Sequence, residues 1–217
     1  MPGLPVVSCM PQTVQLTENY FYFTIEKPSV AEFKDRGSKF TGYVFPVSSK
    51  EDFKEQLHRI KELHPKATHH CFAYRLGTNG NEFRLSDDGE PSGSAGRPIM
   101  GQIESRELTN TLVFVVRYFG GSQLGIPGLI NAYKTAAALA LDASPVIRKQ
   151  VIQKYLLSFD YTKLNDIMMV VKKFHCSILR QDLQLFCNMT LGIPFKNLEE
   201  VISRFKEIHS LEIKKSE

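Results

Sequence analysis

Residues 86–133 read SDDGEPSGSAGRPIMGQIESRELTNTLVFVVRYFGGSQLGIPGLINAY. Two Gly-rich loops bracket one apolar run. The first loop, SDDGEPSGSAG (86–96), packs three acids, three glycines and three serines into eleven residues. The second, YFGGSQLGIPG (118–128), packs four glycines into eleven. Between them Thr111–Val116 is β-branched and aromatic, the pattern of a buried strand, here expected to run on to Tyr118. Glycine carries an entropic cost on folding, so this density marks sharp turns or a close approach to the backbone. After the second loop Pro127 suits the first position of a helix. Leu129, Ala132, Tyr133, Ala136, Ala137 and Leu141 then fall on one helical face, small enough to pack closely on a sheet.

Working outward, Tyr20–Ile25 reads as a first strand. Phe33–Val47 is a second extended region, with Gly37 and Gly42 as turns or bulges. Ser48 with Glu51 three residues on is a capping box. Phe53, Leu57, Ile60 and Leu63 then make one helical face, which Pro65 ends. Thr68–Leu76 is a strand, turning at residues 77–80 into Asn81–Leu85. Ser92 and Ser94 are placed to cap a helix over Ala95–Ile103. Residues 142–145 close the helix that follows the second loop and mark a domain boundary.

Beyond it the order is strand, helix, two strands, helix, strand. Ile152–Tyr161 is the first strand, and Leu164 to Phe174 the first helix. Cys176–Leu179 and residues 183–191 are the middle strands. Leu198 to Ile208 is the second helix and Leu211–Lys214 the last strand. The order βαββαβ is ferredoxin-like. The fold class is therefore α+β in two domains, residues 20–142 and 145–217. The Pro- and Gly-containing residues 1–19 are expected to be a disordered leader, with Met10 a second candidate start. That segment lacks the basic region of a signal peptide.

The 217 residues are 42% hydrophobic and 23% charged, as in a globular protein. No run of eighteen apolar residues occurs, so no membrane span or membrane partner is expected, and the location is expected to be cytoplasmic. The four cysteines, Cys9, Cys71, Cys176 and Cys187, fit neither a zinc site nor a disulfide framework and read as free thiols. The net charge of +4 falls wholly in residues 145–217. This basic excess suits nucleic-acid contact or, equally, solvated helix faces.

Asp87, Asp88 and Glu90 suit a divalent-cation site or acid–base work; they equally suit a tight turn with solvated acids. Arg117 shares a strand face with Phe119, and Tyr118 takes the other. Arg117, with backbone N–H groups of Gly120, Gly121 and the helix start near Gly128, could bind an anion. The other reading is an Arg117–Asp88 bridge tying the two loops together. His69 shares a face with Cys71 and lies near the start of a strand that ends in Arg75. Ser92 is a loop serine without an evident base. No nucleotide-binding loop, nucleophile elbow or catalytic triad is present. No cofactor or metal is expected.

The segments SDDGEPSGSAGRPI (86–99), VVRYFGGSQLG (115–125), GLINAY (128–133), HHCFAYRLG (69–77) and SKFTGYVFPV (38–47) together resemble the YigZ/IMPACT family over residues 20–142. Residues 145–217 resemble the second domain of its bacterial branch. The resemblance implies a first domain like that of a ribosomal small-subunit protein and of domain IV of elongation factor G. It implies a ferredoxin-like second domain. This chain departs from the family at His70, where Asn is usual, at Pro127, where Gly is usual, and at Asn131, where Arg is usual. The eukaryotic branch restrains a stress-activated initiation-factor kinase through an extra N-terminal domain, which is not read here. Only the association with translation carries over. The expected function is thus a non-catalytic regulator of translational initiation with a protein or ribosome-linked partner. The alternatives are an enzyme or binding protein for a phosphorylated small molecule, and an RNA- or ribosome-binding protein acting through residues 145–217.

Overall fold

The computed structural model describes residues 20–216. The expected leader, with Cys9 and Met10, lies outside them. The architecture is mixed α and β with three sheets.

Thr111–Tyr118 (β6) is the central strand, at the expected bounds. It is buried along seven of its eight residues, because both faces of its sheet are covered. The sheet also contains Ser29–Asp35 (β2), Ser38–Pro46 (β3), His69–Leu76 (β4) and Glu82–Ser86 (β5). Its order is β2-β3-β6-β4-β5, with every neighbouring pair antiparallel. One face packs Phe45, Phe72, Phe114 and Val116 against Phe53 and Ile60 of the helix Lys50–Leu63 (α1). The other packs Val44, Cys71, Val113 and Val115 against the helices Gly96–Glu104 (α2) and Gly125–Asp142 (α3).

The small-residue face of α3 is buried as expected. Its closeness to the sheet explains Gly42. This residue is not a bulge but sits in the regular β2–β3 register, where a Cβ would lie 2.6 Å from the carbonyl oxygen of Ala136. Gly37 is the turn: Arg36 and Gly37 both take positive φ, 43° and 81°, as a two-residue hairpin between β2 and β3 requires. The α3 helix begins at Gly125, so Pro127 is its third residue rather than its first. A missing N–H is still harmless within that first turn.

The capping box of α1 is displaced by one residue from Ser48 and Glu51. Ser49 is the N-cap and Asp52 its reciprocal partner. The Asp52 carboxylate also accepts from the Ser48 N–H and hydroxyl, at 2.6 and 2.8 Å. These donors hold its carboxyl below the usual range, against a smaller upward push from burial.

Phe21–Ile25 (β1) does not join the five-stranded sheet. It pairs antiparallel with Val146–Gln150 (β7), a strand the sequence reading missed. Beyond it lie Ile152–Asp160 (β8), Leu164–Lys173 (α4), Ser177–Leu183 (β9), Phe186–Pro194 (β10), Leu198–Lys206 (α5) and Glu212–Lys215 (β11). They form a sheet of order β11-β8-β10-β9 around a separate core that includes Leu157, Ile167, Met189, Val201 and Phe205. The expected strand over 183–191 is two strands. Leu183 ends β9, and β10 starts at Phe186. Alternation ran unbroken through the hairpin because Leu185 at its tip is apolar but exposed. Cys71, Cys176 and Cys187 are buried free thiols.

Candidate functional site

The antiparallel register of β4 against β6 sets His69 directly opposite Arg117. The same register places Phe40 of β3 on the other side of Arg117. The loop after β5 returns over this edge, and the two Gly-rich loops meet there.

They meet through Glu90. Its Oε1 accepts from Arg117 Nη1 at 2.6 Å and from the Tyr133 hydroxyl at 2.8 Å. The Glu90 and Arg117 side chains are only 3% and 7% exposed. The loop–loop bridge of Arg117 therefore goes to Glu90, not to Asp88. Position 90 reaches inward because Asp87 and Asp88 are anchored on the strand side of the turn. Arg117 Nη2 donates to Ser38 Oγ at 3.4 Å, and its guanidinium carbon lies 5.5 Å from the ring centroids of both Phe40 and Phe119. His69 Nε2 is 3.8 Å from Glu90 Oε1, too long for a hydrogen bond.

Asp87 caps α2. Its Oδ1 accepts from the backbone N–H of Ala95 and Gly96 at 3.0 and 2.8 Å, and Oδ2 from Gly93 at 2.9 Å. Burial pushes this carboxyl up, but the three N–H donors outweigh it and hold it below the usual range. The expected serine caps are not used. Ser94 donates to the Pro91 carbonyl, and Ser92 is exposed on the loop. Asp88 takes positive φ, 43°. Its carbonyl accepts from His69 Nδ1 at 2.7 Å, and its carboxylate accepts from the His70 N–H at 2.6 Å. Cys71 donates to the Asp87 carbonyl at 3.0 Å, and burial drives its thiol pKa far upward.

On the second loop, Gly120 crosses directly over the β2–β3 turn. A Cβ there would overlap the Gly37 carbonyl and the Ser38 nitrogen. Its N–H donates to Ser38 Oγ at 3.2 Å, so it is not free to hold an anion. Gly121, at φ 86°, makes the turn in open space. Gly128 lies against Arg36, whose Nη2 donates to the Leu124 carbonyl at 3.1 Å.

Two expected members lie elsewhere. Tyr118 points to the α1 side of the sheet, where its hydroxyl meets His64 Nδ1 at 3.0 Å. Arg75 shares a face with His69 but is six residues along the strand, roughly 20 Å away at about 3.3 Å per residue. Its guanidinium donates to the Gly80 and Leu108 carbonyls. Ser38 and Tyr133 are the members that sequence reading missed. Tyr133 had a signal: a tyrosine in the middle of an alanine-rich buried face needs a partner for its hydroxyl. No group of three or more His, Cys, Asp or Glu among the described residues could hold a metal ion.

The Impact N-terminal domain family model matches residues 36–141. A Bacillus subtilis IMPACT family member, YvyE, is 37% identical over 146 residues, covering 67% of this chain and 67% of its own length. A Haemophilus influenzae IMPACT family member is 32% identical over 188 residues, 86% of this chain and 91% of its own. A crystal structure of a hypothetical protein superimposes with a TM-score of 0.70 at 27% identity, covering 91% of this chain and 98% of that one.

Proposed function

Because the chain belongs to the IMPACT family, we propose that it is a non-catalytic regulator linked to translation, and that the edge where its two Gly-rich loops meet is a docking surface for a protein partner. The observation that carries this reading is the closed pair of Glu90 and Arg117. Asp87 is taken up as a helix cap and Asp88 by the β4 backbone. All three loop carboxylates therefore serve to fix the loops, leaving no free acid–base pair. The strongest cation of the site is already neutralised, which counts against a phosphorylated small molecule. Beside this rigid frame Phe119, Ile126 and Ile130 are large hydrophobics that face solvent. Contact surfaces of proteins are built this way, from aromatic and aliphatic anchors on a preorganised frame.

The test is a cell-free translation reaction supplemented with the protein, followed by sedimentation of ribosomes and initiation complexes with and without nuclease. The reading expects a change in initiation and a nuclease-resistant association, both lost in Phe119→Asp/Ile126→Asp. Unchanged translation together with no association overturns it. Association that vanishes with nuclease and survives the double variant transfers function to the basic residues 145–217. No helix among the described residues is long and apolar enough to cross a membrane.

A further inference from the structure

A second cleft lies at the far end of β4 and stands apart from the loop site. It encloses about 390 Å³, inside the range of small-molecule sites, roughly 300–1,000 Å³. Phe21 and Phe23 of β1, Arg75, Asn79, Glu104 and Glu107 line it. The β1 wall is fixed, because the Thr109 N–H donates to the Phe23 carbonyl at 2.9 Å.

Three charges converge on this cleft without neutralising one another. Arg75 is half-buried. Its Nε donates to the Gly80 carbonyl at 3.2 Å and its Nη1 to the Leu108 carbonyl at 3.3 Å. Both acceptors are uncharged, and Nη2 has no hydrogen bond to any described residue. Glu104 and Glu107 are exposed, and among the described residues neither carboxylate has an ion-pair partner, Arg75 included. Elsewhere the same surface pairs its charges readily: Arg106, between these two acids in sequence, bridges to Asp142 at 2.6 Å. Arg148 stacks on the Phe21 ring at 4.4 Å.

We infer that the cleft binds a small zwitterion of the amino-acid class. Its carboxylate accepts from Arg75, whose guanidinium is held in place by backbone carbonyls and keeps a donor free. Its ammonium group lies toward Glu104 and Glu107, and its carbon skeleton rests on Phe21 and Phe23. A plain anion such as phosphate is disfavoured by the two glutamates. A plain cation leaves Arg75 uncompensated.

The experiment uses the full chain and the standard free amino acids, one at a time at millimolar concentration. The melting temperature is read first, and calorimetry follows for any that raise it. The expected result is binding by at least one of them. That binding weakens roughly tenfold or more when the ligand is N-acetylated or its carboxylate is amidated. Glu104→Gln/Glu107→Gln, at exposed positions, produces the same loss without changing the melting temperature of the free protein. No binding across the panel overturns the inference. So does equal binding of the blocked ligands, or undiminished binding by the glutamine variant. Arg75→Met also loses binding, and if it does not fold, the glutamine variant still decides.

Discussion

Glu90 and Arg117 join the two Gly-rich loops across a 2.6 Å contact from which water is almost wholly excluded. Breaking one side of such a pair strands the other charge in the interior. Glu90→Leu is therefore expected to lower unfolding free energy by about 3–5 kcal/mol. Arg117→Met is expected to cost less, because Glu90 keeps its hydrogen bond from the Tyr133 hydroxyl. The double variant Glu90→Leu/Arg117→Met recovers most of the loss if the pair is purely structural. Chemical denaturation of all four proteins closes the cycle; losses that simply add show that the two side chains are not coupled.

Gly120 and Gly121 are neighbours with different constraints. Gly120→Ala places a methyl group on the Gly37 carbonyl and should destabilise far more than Gly121→Ala. The latter meets no atom and bears only the conformational penalty of positive φ, about 1 kcal/mol. Equal melting temperatures for the two variants contradict the loop crossing.

Asp87 makes stability depend on acid. Its folded pKa is depressed, so its contribution is fully present above the ordinary aspartate range and is lost as pH falls through the folded value. His64 adds a second step. Burial, with His70 and Lys39 nearby, lowers its pKa, so the neutral ring is favoured. Stability from it is present above about pH 6.5 and declines below. Asp87→Asn should flatten the acid limb of a plot of unfolding free energy against pH, and His64→Gln the limb near neutrality. A profile unchanged in either variant rules out the corresponding group.

The β1–β7 ribbon bears on where the chain divides. A fragment ending at Gln150 keeps β1 paired, whereas one ending at Ser144 strips its partner. The shorter fragment also keeps the Ser144 hydroxyl bond to the Lys27 carbonyl at 2.7 Å, so the loss isolates the ribbon. The fragment of residues 20–150 is expected to melt higher than that of residues 20–144. A division at residues 142–145 predicts equal stability for the two.

Much of this was legible in the residues. The bounds of β6 and the buried face of α3 followed from periodicity, because each is set by burial that repeats along a single element. The alternation that set Arg117 and Tyr118 on opposite faces of one strand also held. Errors arose where one element depends on another distant in space. Alternation gave Arg75 the face of His69, but the six-residue spacing between them already set Arg75 at the other end of the strand. The serines before α2 have the composition of caps, yet a carboxylate from the preceding turn arrives first. Glu90, Asp87 and Asp88 are equivalent as a cluster of acids. Only the turn, with positive φ at Asp88 and Gly89, decides which of them points inward.

The Asp87 cap has a consequence for how the chain folds. At nine residues and without a cap of its own, α2 is too short to persist in isolation. Its first turn is completed only when the carboxylate at the end of β5 is delivered to Gly93, Ala95 and Gly96. Closure of the β4–β5 hairpin and growth of α2 are thereby coupled into one cooperative event. The Gly93, Ala95 and Gly96 amide protons held by Asp87 then exchange with solvent no faster than those of the helix they begin.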